Sequence, residues 1–241
     1  MSEQIVFLLK NIPNLLLGFP GARPGGLLMS LLLAGVAISL GFLLAILMGI
    51  GYESRHRSVR LAIHGYIQIF RGIPLILLLL IMHQLLGYGR LVGLSRTPLL
   101  SALVSLILYS SAYQAEIVRA GLLSVPERMT ESARLMGSNR RQVYWRIKLR
   151  YTLQVMLPAF TGQAISLFKD TSVVVILGVV ELMTVARIAL GSNVENASFW
   201  VALYLVVGLF YFVVAFTISR VARRWEDDNH IGDLAHSLAN Y

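Results

Sequence analysis

Residues Leu27–Tyr52 read LLMSLLLAGVAISLGFLLAILMGIGY and contain no charged side chain. A helix rises about 1.5 Å per residue, so a stretch of this length crosses the roughly 30 Å hydrocarbon core of a bilayer. Over the whole chain 56% of residues are hydrophobic and 14% are charged, whereas about a quarter are charged in a soluble domain. The stretch and the composition together predict an all-α membrane protein, because a helix satisfies its own backbone hydrogen bonds in lipid.

Further apolar segments predict four more spans, so that the chain crosses the membrane five times. They run from Leu61 to about Gly87, from Pro98 to Val118, from about Leu153 to Met183, and from Phe199 to Ser219. Gly72 and Pro74 interrupt the second segment, so we expect a broken helix there. Ile5–Leu17 is also apolar, but it is short and contains Pro13, which predicts a helix lying in the membrane interface rather than a sixth span.

The distribution of lysine and arginine predicts the orientation of the chain. Most of the 21 such residues lie in the loop Glu53–Arg60, in the stretch Arg119–Arg150, and between Arg220 and Arg224. Cytoplasmic loops carry the excess of positive charge in membrane proteins. We therefore predict an N-terminus outside and a C-terminus in the cytoplasm, and no nucleic-acid partner despite the net charge of +9. The predicted parts are an interfacial helix and entry loop over residues 1–26, a membrane domain over residues 27–224 and a cytoplasmic tail over residues 225–241.

The stretch Arg119–Arg150, called here the docking stretch, separates the third and fourth predicted spans. It is basic, and Pro126 and Gly137 divide it. Apolar residues recur in it at roughly helical spacing, namely Ala120, Leu123, Met129, Ala133, Met136, Val143 and Ile147. This pattern predicts short helices with one apolar face. We interpret the docking stretch as a cytoplasmic element on which a soluble partner pushes.

Several blocks of sequence resemble those of a known family. Glu116–Pro126 (EIVRAGLLSVP) and Glu131–Gly137 (ESARLMG) together resemble the EAA loop of ABC importer permeases. Phe70–Leu75 (FRGIPL) and Lys169–Ser172 (KDTS) resemble the polar amino acid branch of that family. Gly21–Leu28 (GARPGGLL) is similar to permeases for acidic or broad-range amino acids.

The resemblance implies a type I ABC importer permease fold, with five spans, cytoplasmic coupling helices and an EAA-type coupling loop at about residues 116–150. It implies a bacterial inner-membrane protein that translocates polar amino acids: acidic amino acids, glutamine or a broad range, with basic amino acids as an alternative. The implied partners are a cytoplasmic ATPase dimer, a solute-binding protein and a second permease subunit in a heterodimer or homodimer. ATP and Mg²⁺ would bind the ATPase, because this chain has no glycine-rich phosphate loop and is predicted to be a non-catalytic subunit without a cofactor.

The resemblance also points to residues that would couple the permease to the ATPase. These candidates are Arg128, Glu131, Ser132, Ala133, Arg134 and Gly137. Glu131 falls in the first part of a predicted short helix, and Gly137 is predicted to end that helix as a left-handed cap. The chain departs from the family pattern here, because Ser132 replaces the middle alanine of the signature.

Polar residues inside the predicted spans are candidates for substrate contact, since charge in the membrane faces protein or water. They are Gln68, Arg71, Gln163, Ser166, Lys169, Asp170, Thr171 and Ser172. Arg71 or Lys169 would bind the carboxylate of an amino acid, and Asp170 its ammonium group. The alternative is that these charges form structural pairs or snorkel. Glu116 and Arg119 lie three residues apart on a helix and are expected to pair with each other.

Two other classes of function stay open at this point. One is a membrane-embedded enzyme that uses Glu116, Asp170 or Glu181 with a histidine, although Glu181 is expected at the membrane interface and no catalytic arrangement is visible. His64 and His83 are isolated, and the chain has no cysteine, so no metal site is predicted. The other is an ion-coupled carrier or channel that works without an ATPase.

Overall fold

The computed structural model describes residues 2–19, 24–88 and 97–228. Its α-helices are α1 Ser2–Leu17, α2 Gly26–Tyr52, α3 Arg57–Gly72, α4 Leu75–Tyr88, α5 Pro98–Leu123, α6 Glu127–Leu135, α7 Arg140–Val143, α8 Leu149–Val155, α9 Leu157–Asp170, α10 Leu182–Gly191 and α11 Trp200–Asp228. A π-helical turn spans Tyr144–Lys148, and 3-10 helices span Thr171–Leu177 and Val194–Phe199. Within the described residues, β-structure is limited to one bridge between Gly26 and Glu181.

Three predictions fall outside the described residues. They concern part of the entry loop at Pro20–Arg23, the loop that holds Arg90 and Arg96, and the tail from Asn229 onward.

The membrane spans follow the predicted pattern. Four helical segments are long and apolar enough to cross a bilayer, namely Gly26–Tyr52, Pro98–Leu123, Leu157–Leu177 and Val194–Trp225. A fifth span results when α3 and α4 count as one bent span. They are separated at Gly72–Pro74, as expected, because Pro74 lacks a backbone donor and disfavours helical geometry at Ile73. The predicted all-α membrane fold with five spans is confirmed in this form.

Helix boundaries differ from the predictions at several ends. The third span continues from Val118 to Leu123, and the last helix continues from Ser219 to Asp228. Charged residues at these ends do not stop a helix, because arginine and glutamate are good helix formers. Helix α1 forms over Ser2–Leu17 with Pro13 inside it, and it is not among the segments long enough to cross a bilayer.

The chain divides into two compact units, and each has its own core. The first unit comprises Met1–Ser39, Ile73–Leu108 and Ile165–Thr217. In it, one face of α10 packs with residues of α11 and α1. The buried residues of this cluster are Phe7, Leu15, Leu182, Val185, Ala186, Ala189, Leu203 and Val207. These apolar side chains pack α1 against the rest of the first unit.

The second unit comprises Leu40–Gly72, Tyr109–Ala164 and Ile218–Tyr241. Its core joins α2, α3 and α5 to the segment that follows α7. The buried residues of this cluster are Ala45, Ile67, Ala115, Val118, Leu122, Tyr144 and Leu149. This core places the docking stretch directly against membrane-spanning helices of the same unit.

Small residues allow the close packing of the second unit. A Cβ atom added to Gly49 of α2 would lie 2.7 Å from Cγ1 of Val118 and 2.9 Å from the hydroxyl of Tyr144. A Cβ atom added to Gly41 would lie 3.0 Å from the hydroxyl of Ser110. Glycine at both positions therefore lets α2 approach α5 and the π turn, as small residues do between membrane helices.

Candidate functional site

Helix α6 is the centre of the docking stretch, and both of its ends are determined by local sequence. It begins directly after Pro126 and ends at Leu135, and Gly137, two residues later, has a φ of +84° in the left-handed region. The Gly137 amide donates to the Arg134 carbonyl at 2.9 Å, and the Ser138 amide donates to the Ala133 carbonyl at 3.0 Å. These two bonds form a Schellman motif. The predicted left-handed cap at Gly137 is therefore present.

The buried face of α6 is narrower than the sequence pattern predicted. Thr130 and Ala133 are buried, three residues apart on one face. Leu135 is 89% exposed and Met136 is 81% exposed. Leu123, at the end of α5, is 72% exposed. Of the residues in the predicted apolar pattern, Ala133 is buried, whereas Leu123, Met129 and Met136 are exposed.

The predicted coupling residues separate into an exposed group and one buried residue. Arg128, Glu131, Ser132, Arg134 and Gly137 are exposed, whereas Ala133 is 4% exposed. Among the described residues, no cation forms an ion pair with the Glu131 carboxylate. Glu131 therefore presents a negative charge next to the exposed apolar side chains of Leu135 and Met136. This surface of α6, with charge and apolar area side by side, is suited to contact another protein.

Helix α7 and the π turn follow a second sequence signal. The Asn139 side chain accepts from the Gln142 amide at 2.9 Å, and the Gln142 side chain accepts from the Asn139 amide at 2.8 Å. This reciprocal pair is a capping box, and the Asn-x-x-Gln spacing in the sequence could have predicted it. Tyr144 then packs into the core, and its hydroxyl donates to the Ile46 carbonyl of α2 at 3.5 Å. Burial raises the pKa of Tyr144 to about 12, which keeps the phenol protonated as a donor.

Glu53, just after the end of α2, forms hydrogen bonds with the docking stretch. The sequence analysis did not predict this contact. Lys148 donates from Nζ to Oε1 of Glu53 at 2.9 Å. Arg140 donates to the backbone carbonyl of Glu53 at 2.6 Å. Two basic residues of the docking stretch thus form contacts within the protein. The available signal was an isolated acidic residue at the start of an otherwise basic loop.

Glu116 forms the centre of a charged cluster in the second unit. Arg119 donates from Nε to Oε2 of Glu116 at 2.8 Å and from Nη2 to Oε1 at 2.5 Å. The predicted pairing of Glu116 with Arg119 is thus present. Arg71 reaches the same carboxylate from α3 at 3.7 Å, and its guanidinium lies 5.2 Å from the centre of the Tyr113 ring. Arg71 therefore has structural partners, as the alternative interpretation expected.

The other candidate substrate residues belong to both units. Gln68 is exposed on α3 and Gln163 is half-buried on α9, and both belong to the second unit with Arg71. The remaining candidates, Ser166, Lys169, Asp170, Thr171 and Ser172, belong to the first unit.

Lys169 and Asp170 mark the point where α9 changes into a 3-10 helix. Lys169 is exposed and Asp170 is half-buried, and the two side chains do not form an ion pair with each other. Thr171 is buried, and its hydroxyl donates to the Phe168 carbonyl at 2.7 Å. Lys169 and Asp170 can therefore still form hydrogen bonds or ion pairs with another molecule. The Thr171 hydroxyl instead donates its hydrogen bond within its own helix.

Glu181 is enclosed more deeply than expected. It was predicted at the membrane interface, but it is 0% exposed. Its carboxylate accepts from the amides of Met183 and Thr184 at 2.8 and 2.7 Å, and from the Tyr211 hydroxyl at 3.4 Å. It therefore caps the start of α10, and its oxygens are occupied by that structural role.

The histidines show no arrangement for metal binding or catalysis in the described part of the chain. His83 lies 3.1 Å from the Ser101 hydroxyl, which is the single hydrogen bond expected of a packed histidine. No group of three or more His, Asp or Glu side chains among the described residues could hold a metal ion. The geometry thus offers no support for the hypothesis of a membrane-embedded enzyme.

Comparison with known families accounts for these features together. Residues 41–227 match the model of the family described as "Binding-protein-dependent transport system inner membrane component". The chain belongs to this family. As an inner membrane component of such a transport system, the permease carries the polar block between spans that the family resemblance had indicated.

Curated relatives and a solved structure agree with this assignment. The permease is 31% identical over 218 residues to the inner membrane amino-acid ABC transporter permease protein YhdY of Escherichia coli (strain K12), a match that covers 88% of this chain and 58% of the relative. It is 30% identical over 197 residues to the glutamate/glutamine/aspartate/asparagine transport system permease protein BztC of Rhodobacter capsulatus, covering 81% of this chain and 45% of the relative. The chain thus spans about half the length of these relatives.

Among solved structures, the permease superimposes on a chain from the crystal structure of an amino acid ABC transporter with histidines. The TM-score is 0.75 at 24% identity, and the match covers 95% of this chain and 96% of the other. The predicted type I ABC importer permease fold is confirmed by this likeness.

Proposed function

We propose that this chain is the non-catalytic membrane subunit of an ATP-driven importer of polar amino acids, and that a cytoplasmic ATPase docks on α6. The observation that carries the proposal is the construction of α6. It is a short helix with defined ends, an exposed carboxylate at Glu131 and exposed apolar side chains at Leu135 and Met136. A partner with a complementary cleft would desolvate this surface and pair with the carboxylate.

The contacts around α6 provide a path for movement within the second unit. The capping box at Asn139 begins α7 immediately after the Schellman motif at Gly137. Glu53 then holds Lys148 and Arg140, so the docking stretch is joined to the end of α2. A push on α6 would therefore move membrane helices with it as one body. Rigid-body movement of this kind is what alternating access needs.

We infer a polar amino acid substrate from the relatives and from the charges within the spans. The names of the two relatives refer to amino acids, and one of them names glutamate, glutamine, aspartate and asparagine. The Glu116 cluster contains two guanidinium groups and one carboxylate, so it has an excess of positive charge at Arg71. That excess would attract a substrate carboxylate. In the other unit, the Asp170 carboxylate is proposed separately as a group that would attract an ammonium group. Acidic amino acids, glutamine or a broader set fit this chemistry.

The remaining candidate contacts are uncharged and would supply hydrogen bonds. Gln68, one turn before Arg71 on α3, Gln163 and Ser166 on α9, and Ser172 are the residues we assign to this role. A zwitterionic substrate in a low-dielectric site needs such groups, because each unpaired polar atom is costly there.

The full transporter in this proposal contains further subunits. A solute-binding protein delivers the amino acid outside, a second permease forms a heterodimer or a homodimer with this one, and an ATPase dimer binds ATP and Mg²⁺. The basic loops of this chain face the cytoplasm, with the N-terminus outside.

The ATPase-docking role is tested with Glu131→Lys in the complete transporter. The change reverses the charge on an exposed site without altering the packed face of Ala133. We expect amino acid uptake into proteoliposomes to fall at least about tenfold, because like charges facing each other at an interface cost several kcal/mol and about 1.4 kcal/mol is a factor of ten. Glu127→Lys, an equal change in charge at the start of the same helix, is the matched control and should have a smaller effect. Unchanged uptake by Glu131→Lys would refute docking at this residue.

The energy source of uptake distinguishes the proposed ATP-driven importer from the alternative, an ion-coupled carrier. Uptake by the proposed importer stops when ATP is removed from the cytoplasmic side and persists when ion gradients are collapsed. The opposite pattern would favour the carrier.

The substrate site is tested with Asp170→Asn, which keeps the size of the side chain and removes its charge. We expect a KM at least about tenfold higher, because a lost charged partner in the span is worth a few kcal/mol. Glu195→Gln, the same change at an exposed position in the 3-10 helix Val194–Phe199, is the control. Wild-type kinetics for every amino acid tested would remove Asp170 from the site.

A further inference from the structure

A cavity of about 530 Å³ lies in the second unit, beside the end of α2. Its walls come from that end of α2, the loop after Tyr52, the first turn of α3, α7 and the π turn. None of the described residues that line it belongs to α6. We propose that this cavity binds the headgroup of an anionic phospholipid.

The charge of the cavity fits a phosphate group. Arg55, Arg140 and Arg141 line it, and Glu53 is the one acidic residue among the described lining residues. The Glu53 carboxylate is already paired with Lys148 at 2.9 Å. Arg55 and Arg141 are exposed, and neither forms an ion pair within the described part of the chain. The cavity therefore has an excess of positive charge with guanidinium donors free to bind an anion.

The rest of the lining fits the boundary of a membrane. Trp145 is 44% exposed at the cavity, as a tryptophan at a membrane–water interface would be. Val59 and Ile50 provide further apolar wall. Ile50 continues a row on the outer face of α2, in which Leu43 is 58% exposed and Leu47 is 61% exposed.

The row on α2 decides between a lipid and a soluble anion. Leu43, Leu47 and Ile50 are spaced by four and three residues, so they lie on one face of the helix. A lipid acyl chain lying along this row would place its phosphate in the cavity at the end of the helix. Inorganic phosphate would bind the arginines but would make no contact with the apolar row or with Trp145. Basic pockets beside membrane helices bind lipid headgroups in this way.

The experiment uses Trp145 as a reporter in the full chain. The protein has three tryptophans, and Trp200→Phe with Trp225→Phe leaves Trp145 alone. The purified chain is placed in nanodiscs of phosphatidylcholine that contain brominated phosphatidylglycerol or, at equal bromine content, brominated phosphatidylcholine. We expect phosphatidylglycerol to reach half-maximal quenching at a mole fraction about fivefold or more below that of phosphatidylcholine.

Matched arginine variants distinguish binding in the cavity from a general attraction of anionic lipid to the basic residues around the end of α2. Arg55→Gln with Arg141→Gln should abolish most of this selectivity, so that the two brominated lipids reach half-maximal quenching at similar mole fractions. Arg57→Gln with Arg60→Gln removes the same charge from the first turn of α3, where neither of these two side chains lines the cavity, and should lower the selectivity less than twofold. Equal losses in the two pairs would mean a diffuse surface field and would overturn the proposal.

Two further outcomes also overturn it. Equal quenching of Trp145 by the two brominated lipids would show that the cavity does not select an anionic headgroup, and a soluble partner would then be its better candidate. This comparison requires no arginine variant. Displacement of brominated phosphatidylglycerol by millimolar inorganic phosphate would assign it to a soluble anion. Neither measurement involves ATP or amino acid uptake, so failure here is distinct from failure of the proposed function.

Discussion

Gly137 has a φ of +84°, and nothing lies within 4 Å of a Cβ atom built on it. Backbone conformation, and not space, therefore requires glycine at this residue. An L side chain in the left-handed region costs about 1–2 kcal/mol, with asparagine tolerated better than alanine. The end of α6, and with it the orientation of the docking surface, thus depends on one residue.

We predict that Gly137→Ala loosens the end of α6. The amides of residues 137 and 138, which close the Schellman motif, should exchange hydrogen at least about fivefold faster, as expected for a loss of about 1 kcal/mol. Gly137→Asn should show a smaller increase. Gly65→Ala is the control, because Gly65 lies in α3 with open space around its Cα and an ordinary φ. Unchanged exchange in Gly137→Ala would contradict a strained left-handed cap.

At the scale of helices, α2 contains glycines with two different roles. A Cβ atom on Gly49 would contact Val118 and Tyr144 at 2.7 and 2.9 Å, whereas nothing lies within 4 Å of one on Gly35. From sequence alone the two glycines are equivalent, because small residues allow close approach of membrane helices. In the structure, Gly49 lies in a tight contact and Gly35 does not.

Gly49→Ala should therefore destabilise the permease, because an added methyl group in a tight contact costs about 1–3 kcal/mol. Gly35→Ala is the matched control on the same helix, and it should be neutral or stabilising by up to about 1 kcal/mol. Thermal unfolding in detergent measures both. A Gly35→Ala loss equal to that of Gly49→Ala would mean that α2 does not pack as described.

The contact between Glu53 and Lys148 joins two elements that are far apart in sequence. In a double-mutant cycle, Glu53→Gln and Lys148→Gln should give a coupling free energy of about 1 kcal/mol, as expected for a partly exposed pair. Arg150→Gln, at an exposed residue with no ion pair in the described chain, replaces Lys148→Gln in the control cycle. A coupling near zero in both cycles would show that this pair does not hold the docking stretch.

At the scale of the whole molecule, the proposed orientation has a direct test, because the chain contains no cysteine. Any introduced cysteine is unique. Ser138→Cys lies after α6, and Ser198→Cys lies in the 3-10 helix before α11.

In intact cells, a membrane-impermeant maleimide should label Ser198→Cys and leave Ser138→Cys unlabelled. Inverted membrane vesicles should show the reverse. Labelling of Ser138→Cys from outside the cell would place the docking stretch on the wrong side for an ATPase and would contradict the proposed function.

Much of the fold was predictable from the sequence because lipid permits few solutions. The uncharged run of α2 and the Gly72–Pro74 interruption predicted a continuous span and a broken one, and both are present. The Glu116–Arg119 pair was predictable for a different, local reason, because residues three apart on a helix are neighbours in any surroundings.

The sequence by itself determined the spans, the left-handed end of α6 and the pairing within single helices, because each depends on a few consecutive residues. The tertiary structure alone decided that Arg71 reaches Glu116, that Glu53 holds Lys148 and Arg140, and that Leu135 and Met136 stay exposed. These contacts join residues tens of positions apart, or depend on which edge of a short helix is covered. Helical periodicity places side chains on a face, but only packing decides what that face meets.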